Sequence, residues 1–284
     1  MSIAVKDLCY TYMPGTPFEH QALKNVSFEI ADGEFVGIIG HTGSGKSTLI
    51  QVMSGLLKGA TGQVLINGVD YMAKKADRKQ LRRTVGVVFQ YPEYQLFEET
   101  VERDVAYGPR KMGVPESELA GRVRVALEHV GIDYDLYKDK SPFSLSGGQK
   151  RKVAIAGVLA MEPSILIMDE PIAGLDPLGR ENFMQLSRNL NEVGITILMI
   201  SHNMDNLAEY AGRVLVMNQG ELCLNGTPAE VFSQERQLLE AGLDLPEAAK
   251  LARQLRERGV EVPGGIIRYD QMLAFLRKRL GGKS

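Results

Sequence analysis

The chain has 284 residues, of which 44% are hydrophobic and 24% charged, and its formal net charge is −2. This composition is typical of a globular protein with one large domain, or with a domain and a small appendage. The nearly neutral charge balance gives no indication of a nucleic-acid surface, so we expect no nucleic-acid partner. The longest apolar runs have the length of a strand, far short of the roughly 20 residues that span a bilayer, so function at a membrane would need other chains to hold the protein there.

The first 35 residues predict a small β unit that begins near Ile3. Residues 22–30 alternate apolar and polar side chains, which is the period of a half-buried strand. Between these two segments, residues 10–17 (YTYMPGTP) combine turn-forming and aromatic residues, so we predict a loop there.

Residues 34–57 predict a buried strand, a glycine-rich loop and a helix. The loop, GHTGSGKS, has the phosphate-binding pattern G-x-x-x-x-G-K-S. Its glycines allow the backbone to wrap closely around a phosphate, and the N–H groups at the helix start attract an anion. We expect Lys46 to contact the β- and γ-phosphates and Ser47 to hold Mg²⁺. The predicted nucleoside triphosphate site comprises Gly40, His41, Thr42, Gly43, Ser44, Gly45, Lys46, Ser47 and Thr48.

The middle of the chain predicts two more strands and then a block of helices. Residues 62–68 predict a strand that an Asn-Gly turn closes, and the apolar residues 85–90 predict a strand that ends at Gln90. The pattern over about 98–159 predicts an inserted helical subdomain with helices at 98–107 and 116–130. Its last helix is expected to begin after Ser146, a good N-cap residue.

The rest of the chain returns to alternating strands and helices. We predict strands at 164–170 and 196–202, a helix at 179–193 between them, and a hairpin at 213–224. Nearly continuous apolar strands that alternate with helices indicate a parallel sheet covered on both faces, and therefore an α/β fold. Helical patterns after residue 232 predict a C-terminal appendage.

Four polar residues at predicted strand ends are candidates for hydrolytic chemistry. Asp169 could hold Mg²⁺ through a water or through Ser47, and Glu170 could polarise an attacking water. Gln90 could contact the metal or the water, and His202 could bind the γ-phosphate and orient that water. Each residue taken alone is more often solvated or structural, but a phosphate loop in the same chain reverses the odds for the acidic pair.

The segment LSGGQ at residues 145–149 predicts a second anion-binding helix start, with one serine and two glycine N–H groups. A chain that binds one triphosphate would use both anion-binding helix starts if two subunits face each other. Each subunit would then offer this segment to the γ-phosphate of the other. The residues expected to act on a partner's nucleotide are Leu145, Ser146, Gly147, Gly148 and Gln149.

The phosphate loop, Gln90, LSGGQ, ILIMDE (165–170), GLD (174–176) and His202 occur in the order that resembles the nucleotide-binding subunit of ABC transporters. The resemblance covers residues 3 to about 232. It implies a P-loop ABC ATPase with a parallel-sheet core, an N-terminal antiparallel β subdomain and an inserted helical subdomain. It also implies ATP and Mg²⁺ as cofactors and a hydrolysis-competent subunit.

The same resemblance implies a role for each site residue. Glu170, His202, Gln90 and Lys46 would be catalytic, and Ser47, Gln90 and Asp169 would hold the metal. Tyr12 would stack on the adenine, and Asp176 would lie at the dimer interface and link the two ATP sites. Gln90 would also contact a membrane subunit.

Four local stretches are similar to energy-coupling factor importers, a branch of the ABC transporters. They are PGTPFEHQAL (14–23), GHTGSGKST (40–48), FQYPEYQLFEETVERDVAYGP (89–109) and SPFSLSGGQKRKVAIAGVLAMEP (141–163). PGTPFE in particular resembles the second ATPase subunit of such a system. The helical tail is also similar to that family, which implies domains at 1–232 and at 233–284, the second a dimerisation appendage.

The resemblance to that branch implies several partners. They are a second ATPase subunit in a homo- or heterodimer, a transmembrane coupling subunit and a membrane subunit that captures a vitamin or a metal ion. The chain would lie peripherally on the cytoplasmic side of the cell membrane, and residues 91–100 would form part of the groove for the coupling subunit.

Other ABC classes are alternatives. A soluble ABC ATPase acting on DNA or chromosomes would need coiled-coil arms between the phosphate loop and LSGGQ, and no heptads occur there. A ribosome-associated protein would carry two cassettes in one chain. A non-hydrolytic scaffold would not need Glu170 and His202. An ATPase subunit of another ABC transporter class is the nearest alternative.

Overall fold

The computed structural model of the chain describes residues 2–73 and 76–281. Two sheets occur in this part of the chain, a four-stranded sheet of order β2-β1-β4-β5 and a six-stranded sheet of order β10-β9-β3-β8-β7-β6. The strands are β1 (Ile3–Tyr12), β2 (His20–Ile30), β3 (Phe35–Ile39), β4 (Thr61–Ile66), β5 (Val69–Asp70), β6 (Val85–Val88), β7 (Ile165–Asp169), β8 (Thr196–Ile200), β9 (Arg213–Asn218) and β10 (Glu221–Gly226).

Helices cover the larger sheet and form a separate layer beside it. They are α1 (Lys46–Met53), α2 (Arg78–Thr84), α3 (Val101–Met112), α4 (Glu116–His129), α5 (Tyr134–Tyr137), α6 (Gly147–Leu159), α7 (Pro177–Glu192), α8 (Met204–Tyr210), α9 (Pro228–Ser233), α10 (Glu235–Glu240), α11 (Glu247–Glu257) and α12 (Tyr269–Gly281). Two 3-10 turns lie at Pro92–Gln95 and Pro142–Ser144. None of the helices in the described ranges is long and apolar enough to cross a membrane.

The larger sheet is parallel except for its edge strand β10, which pairs antiparallel with β9. All five residues of β3 and of β8 are buried, as expected for central parallel strands with both faces covered. The register pairs Ile38 with Ile200 and Asp169 with Ile200, so the carboxyl ends of these strands meet at one edge. Ligands of open α/β sheets bind at this edge.

The smaller sheet corrects one sequence prediction. The loop expected over residues 10–17 begins only after Tyr12, because β1 continues to that residue and pairs Tyr12 with His20. Aromatic side chains favour strands, and the pairing with β2 supplies backbone partners that the local sequence does not reveal. Tyr12 therefore lies at the end of an interior strand of this sheet rather than on a loop.

The predicted helical block is present with shifted boundaries. The helix expected from residue 98 begins after Thr100, whose hydroxyl accepts a hydrogen bond from the N–H of Arg103 at 3.3 Å, and it ends before Gly113. Helix α6 begins after Ser146, as predicted. Helix α2 was not predicted, because the basic residues around it hide its apolar pattern.

The C-terminal segment is helical, as predicted, but it includes the unpredicted helix α10. Leu238 of α10 belongs to the main core, whereas Ala252 and Met272 join α11 to α12 in a small cluster of their own. The Asp205 carboxylate of α8 accepts a hydrogen bond from the N–H of Glu247 at 2.8 Å, which docks the start of α11 on α8. The domain boundary at residue 233 stays a prediction.

Candidate functional site

A cavity of about 550 Å³ lies at the carboxyl edge of the parallel strands. It joins the phosphate loop, the ends of three strands and the edge of the smaller sheet. The predicted site residues that line it are Tyr12, Thr42, Gly43, Ser44, Gly45, Lys46, Ser47, Thr48, Gln90, Asp169, Glu170 and His202. Gly40 and His41 begin the loop without lining the cavity.

Close backbone packing determines the shape of the phosphate loop. A Cβ on Gly40 would lie 2.4 Å from the carbonyl oxygen of Met217, and one on Gly45 would lie 2.6 Å from that of Ala22. Gly45 also has a φ of +103°, in the left-handed region that glycine adopts without strain. Since both contacts are to backbone atoms that cannot swing away, the loop admits no larger residue at either position.

The Lys46 ammonium is held at the base of this loop. It donates hydrogen bonds to the carbonyl oxygens of Gly40 at 2.6 Å and His41 at 2.9 Å. Burial lowers the pKa of Lys46, while the carboxylates of Glu170 and Asp169 oppose that shift. A buried cation beside a helix start gives the cavity a fixed positive charge that suits a triphosphate.

Ser47 and Asp169 present oxygen atoms side by side. Burial raises the pKa of Asp169, and the hydrogen bond from Ser47 and the charge of Lys46 oppose this. A hydroxyl, a carboxylate and the nearby amide of Gln90 are the hard oxygen donors that Mg²⁺ takes together with substrate phosphates and waters. Within residues 2–73 and 76–281 no group of three or more His, Cys, Asp or Glu is placed to hold a metal, and a Mg²⁺ site of this kind needs none.

The Glu170 carboxyl group is the most perturbed acid of the cavity. Burial raises its pKa to about 7, with the charge of Asp169 adding to the shift and the backbone N–H of His202 and the charge of Lys46 opposing it. Its Oε1 atom is buried and makes no hydrogen bond to any described residue, although Nε2 of His202 lies 3.2 Å away. A buried carboxylate oxygen without a hydrogen-bond donor is suited to accept a hydrogen bond from a water.

His202 lies beside Glu170 at the mouth of the cavity, with a half-exposed side chain. Burial of the ring and the charge of Lys46 lower the pKa of His202, and Asp169 opposes this shift. The neutral imidazole is therefore favoured. It can donate one hydrogen bond and accept another.

Tyr12 closes the far end of the cavity, where its hydroxyl is 3.2 Å from Oγ1 of Thr48. The Tyr10 ring packs edge-on against that of Tyr12, with 4.8 Å between their centroids. His20, which the sequence analysis did not single out, also lines this end because β2 pairs it with Tyr12. The place of His20 in the cavity could have been predicted only from the register between β1 and β2.

The LSGGQ segment is exposed on the helical layer, apart from the cavity of its own chain. Leu145 is buried and anchors the segment, while Ser146, Gly147 and Gly148 face solvent. The Ser146 hydroxyl accepts a hydrogen bond from the N–H of Gln149 at 3.4 Å, and the Gln149 side chain accepts one from the N–H of Ser146 at 3.1 Å. The action of the segment on a partner's nucleotide stays a prediction.

Asp176 also lies outside the cavity. Its carboxylate caps α7 by accepting a hydrogen bond from the N–H of Gly179 at 2.7 Å. Arg151 of α6 is buried and was missed by the sequence analysis, because the run Lys150-Arg151-Lys152 is typical of a solvated helix face.

The chain is similar to known proteins over most of its length. A family model described as ABC transporter matches residues 23–173. The energy-coupling factor transporter ATP-binding protein EcfA2 of Clostridium perfringens is 54% identical over 272 residues, which is 95% of each chain. The protein of the same name from Clostridioides difficile is 50% identical and covers 100% of this chain and 99% of its own.

Solved structures have the same fold. cbiO1 from Clostridium perfringens, described as part of the ABC transporter complex cbiONQ, superposes with a TM-score of 0.74 at 41% identity, covering 88% of this chain and 98% of its own. A dimeric post-hydrolysis state of the ATP-binding cassette MJ0796, bound to ADP and Pi, gives a TM-score of 0.69 at 30% identity over 80% of this chain and 98% of its own.

These similarities confirm the predicted P-loop ABC ATPase fold, ATP binding and ATP hydrolysis. They also confirm the resemblance to the energy-coupling factor branch, whose ATP-binding proteins match nearly the whole chain. The chain therefore belongs to the ABC transporter family of ATPases, among the energy-coupling factor transporter ATP-binding proteins.

Proposed function

We propose that this ATPase subunit works peripherally on the cytoplasmic side of the cell membrane and powers the uptake of a vitamin or a metal ion. Its partners would be a transmembrane coupling subunit and a membrane subunit that captures the substrate. The observation that carries the hydrolytic part is the buried Oε1 of Glu170, which has no hydrogen bond to any described residue and faces a cavity with a buried lysine.

The residues of the cavity divide the chemistry among them. Lys46 and the N–H groups of the phosphate loop bind the phosphates, and Ser47, Asp169 and Gln90 would hold Mg²⁺. When bound, the metal neutralises charge on the β- and γ-phosphates. Glu170 accepts a proton from the attacking water, a role suited to a carboxyl group whose pKa of about 7 is near neutral pH. His202 orients that water, while Tyr12 holds the base.

Hydrolysis in this proposal needs a second ATPase subunit, in a homo- or heterodimer. The open space around Gly147 and Gly148 supports this arrangement, because their N–H groups can approach a γ-phosphate of the partner. Asp176 would link the two sites across the interface. ATP would favour the closed dimer because it makes contacts there that are absent in the open one.

The loop after Gln90 is the proposed contact with the coupling subunit. Tyr94 and Phe97 are 84% and 56% exposed, and the half-exposed Tyr91 adjoins them. An exposed apolar cluster of this kind on a loop marks a protein-protein contact. The helices α11 and α12 would help to hold the ATPase pair together.

Glu170→Gln tests the proposed catalysis in the chain purified with its co-expressed partners. We expect ATP binding to persist, the closed dimer to accumulate and turnover to fall by about 10²–10⁴-fold, because the amide cannot accept the proton. Radiolabelled ATP binding, gel filtration and phosphate release measure the three quantities. Glu192→Gln, the same exchange at an exposed position in α7, is the matched control and should keep full turnover. Undiminished hydrolysis by Glu170→Gln would contradict the role given to this residue.

A further inference from the structure

Arg151 occupies an unusual place for an arginine. It lies in the second turn of α6, the helix that LSGGQ begins, and it is only 4% exposed. Its neighbours Lys150 and Lys152 are half-buried. Because burying a charge is unfavourable unless the charge is paired and hydrogen-bonded, the surroundings of Arg151 must compensate it.

Four hydrogen bonds do so, and they reach two other segments. Nε and Nη2 donate to the two carboxylate oxygens of Glu93, each at 3.0 Å, in a two-pronged ion pair. Nη1 donates to the carbonyl oxygens of Pro171 at 3.2 Å and Ala173 at 3.0 Å. One guanidinium thus joins α6, the turn Pro92–Gln95 and the segment that follows Glu170.

The two segments that Arg151 joins are walls of the nucleotide cavity. Gln90, three residues before Glu93, lines the cavity, and Ala173 lines it as well. Each segment begins with a non-glycine residue in the left-handed region, Tyr91 with a φ of +54° and Glu170 with a φ of +48°. Such conformations are strained and persist where neighbouring contacts hold them.

A second contact ties the same walls together. The Tyr91 ring lies so close to the backbone of Gly174 that a Cβ there would be 3.3 Å from its Cε1 atom. The Arg151 guanidinium lies 5.9 Å from the centroid of the Tyr91 ring, within reach of a cation–π interaction. Neither wall can therefore shift far without disturbing the arginine.

We propose that Arg151 is a positioning residue that transmits nucleotide occupancy from the cavity to the loop at 91–97. Because both walls and α6 are attached to one guanidinium, a displacement of either wall by ATP moves the loop and the LSGGQ helix together. The inference deepens the proposed function, since this loop is the surface assigned there to the coupling subunit. It requires only that ATP occupies the cavity, and no membrane partner.

The chain has no tryptophan, which allows a single fluorescent reporter to be placed on the loop. Tyr94 is 84% exposed, and its ring centroid lies 5.9 Å from that of Tyr91. In the full-length chain carrying Tyr94→Trp, we expect Mg²⁺-ATP to change the indole emission. Adding Glu93→Gln or Arg151→Lys should abolish that change, because the amide loses the ion pair and the lysine cannot make the two-pronged contact.

Glu116→Gln is the matched control. Glu116 also accepts a two-pronged pair, from Arg110 at 2.9 and 3.3 Å, but that pair is exposed on the helical layer away from the cavity. This variant should keep the ATP-dependent emission change. A merely structural role for Arg151 would instead lower stability without selectively removing the loop's response.

Thermal unfolding and the binding of a fluorescent ATP analogue are measured on every variant. Glu93→Gln keeps the proposal testable if Arg151→Lys fails to fold, because it leaves the bonds of Arg151 to Pro171 and Ala173 in place. An unchanged response in a folded, ATP-binding Glu93→Gln variant overturns the proposal, and so does a Tyr94→Trp parent that binds ATP without any response. Failure of that parent to bind ATP would overturn the proposed function as well, so the two failures are distinguishable.

Discussion

The phosphate loop before α1 and the LSGGQ segment before α6 both present glycine N–H groups at a helix start, and they differ in enclosure and in capping. Helix α1 has no side-chain cap, and Gly40 and Gly45 of the loop before it pack closely against β2 and the β9-β10 hairpin. Helix α6 is capped reciprocally by Ser146 and Gln149, and its glycines have open space around them.

This difference shows how the two helix starts use their N–H groups. The uncapped start of α1 leaves donors that a phosphate can satisfy, and the fixed Lys46 adds a full charge. At the start of α6, the capping side chains already accept hydrogen bonds from part of the free backbone N–H groups. This helix start is therefore stable on the surface without a ligand. The start of α1 is a preformed anion site, whereas the start of α6 becomes an anion site only when a partner surface packs against it.

The largest expected effect on stability and ATP binding comes from adding a side chain to a glycine of the enclosed phosphate loop. Gly40→Ala would place a Cβ 2.4 Å from the Met217 carbonyl oxygen, so we expect a loss of about 1–3 kcal/mol of unfolding free energy and loss of ATP binding. Gly147→Ala is the control, because nothing lies within 4 Å of its added Cβ, and it should fold and bind ATP normally. Denaturant unfolding and ATP binding measure both. Equal effects of the two variants would contradict the difference in enclosure.

Blocking the open helix start should separate binding from hydrolysis. Ser146→Arg places a long side chain where a partner's γ-phosphate would approach, so we expect ATP binding to the free chain to persist and turnover of the assembled ATPase to fall by about 10²-fold. Ser117→Arg, the same exchange at an exposed position in the first turn of α4, should keep turnover. Loss of ATP binding by Ser146→Arg would mean that the segment serves the nucleotide of its own chain.

The smallest effect concerns the cap itself. Ser146→Ala removes the hydroxyl that accepts from the Gln149 N–H, and we expect a loss of about 1 kcal/mol of unfolding free energy, as for other N-caps. Ser47→Ala, in the first turn of α1, should change stability less, because α1 has no side-chain cap to lose. Urea unfolding of the two variants compares them. An equal or larger loss at Ser47 would contradict this difference in capping.

Local patterns in the sequence determined much of this protein. The phosphate loop, the acidic end of β7 and the N-cap Ser146 could be predicted because each depends on residues within a few positions of one another. The order of strands and helices gave the α/β class for the same reason, since burial on both faces makes strands continuously apolar.

Only the tertiary structure decided the features that depend on residues far apart in the chain. Pairing with β2, which the local sequence does not indicate, extends β1 to Tyr12 and places His20 at the cavity. The burial of Arg151 could not be predicted, because its partner Glu93 lies 58 positions away and its flanking lysines suggest solvent. The Oε1 atom of Glu170 lacks a hydrogen bond to the described residues because of how three strand ends meet, and such packing is a property of the assembled sheet.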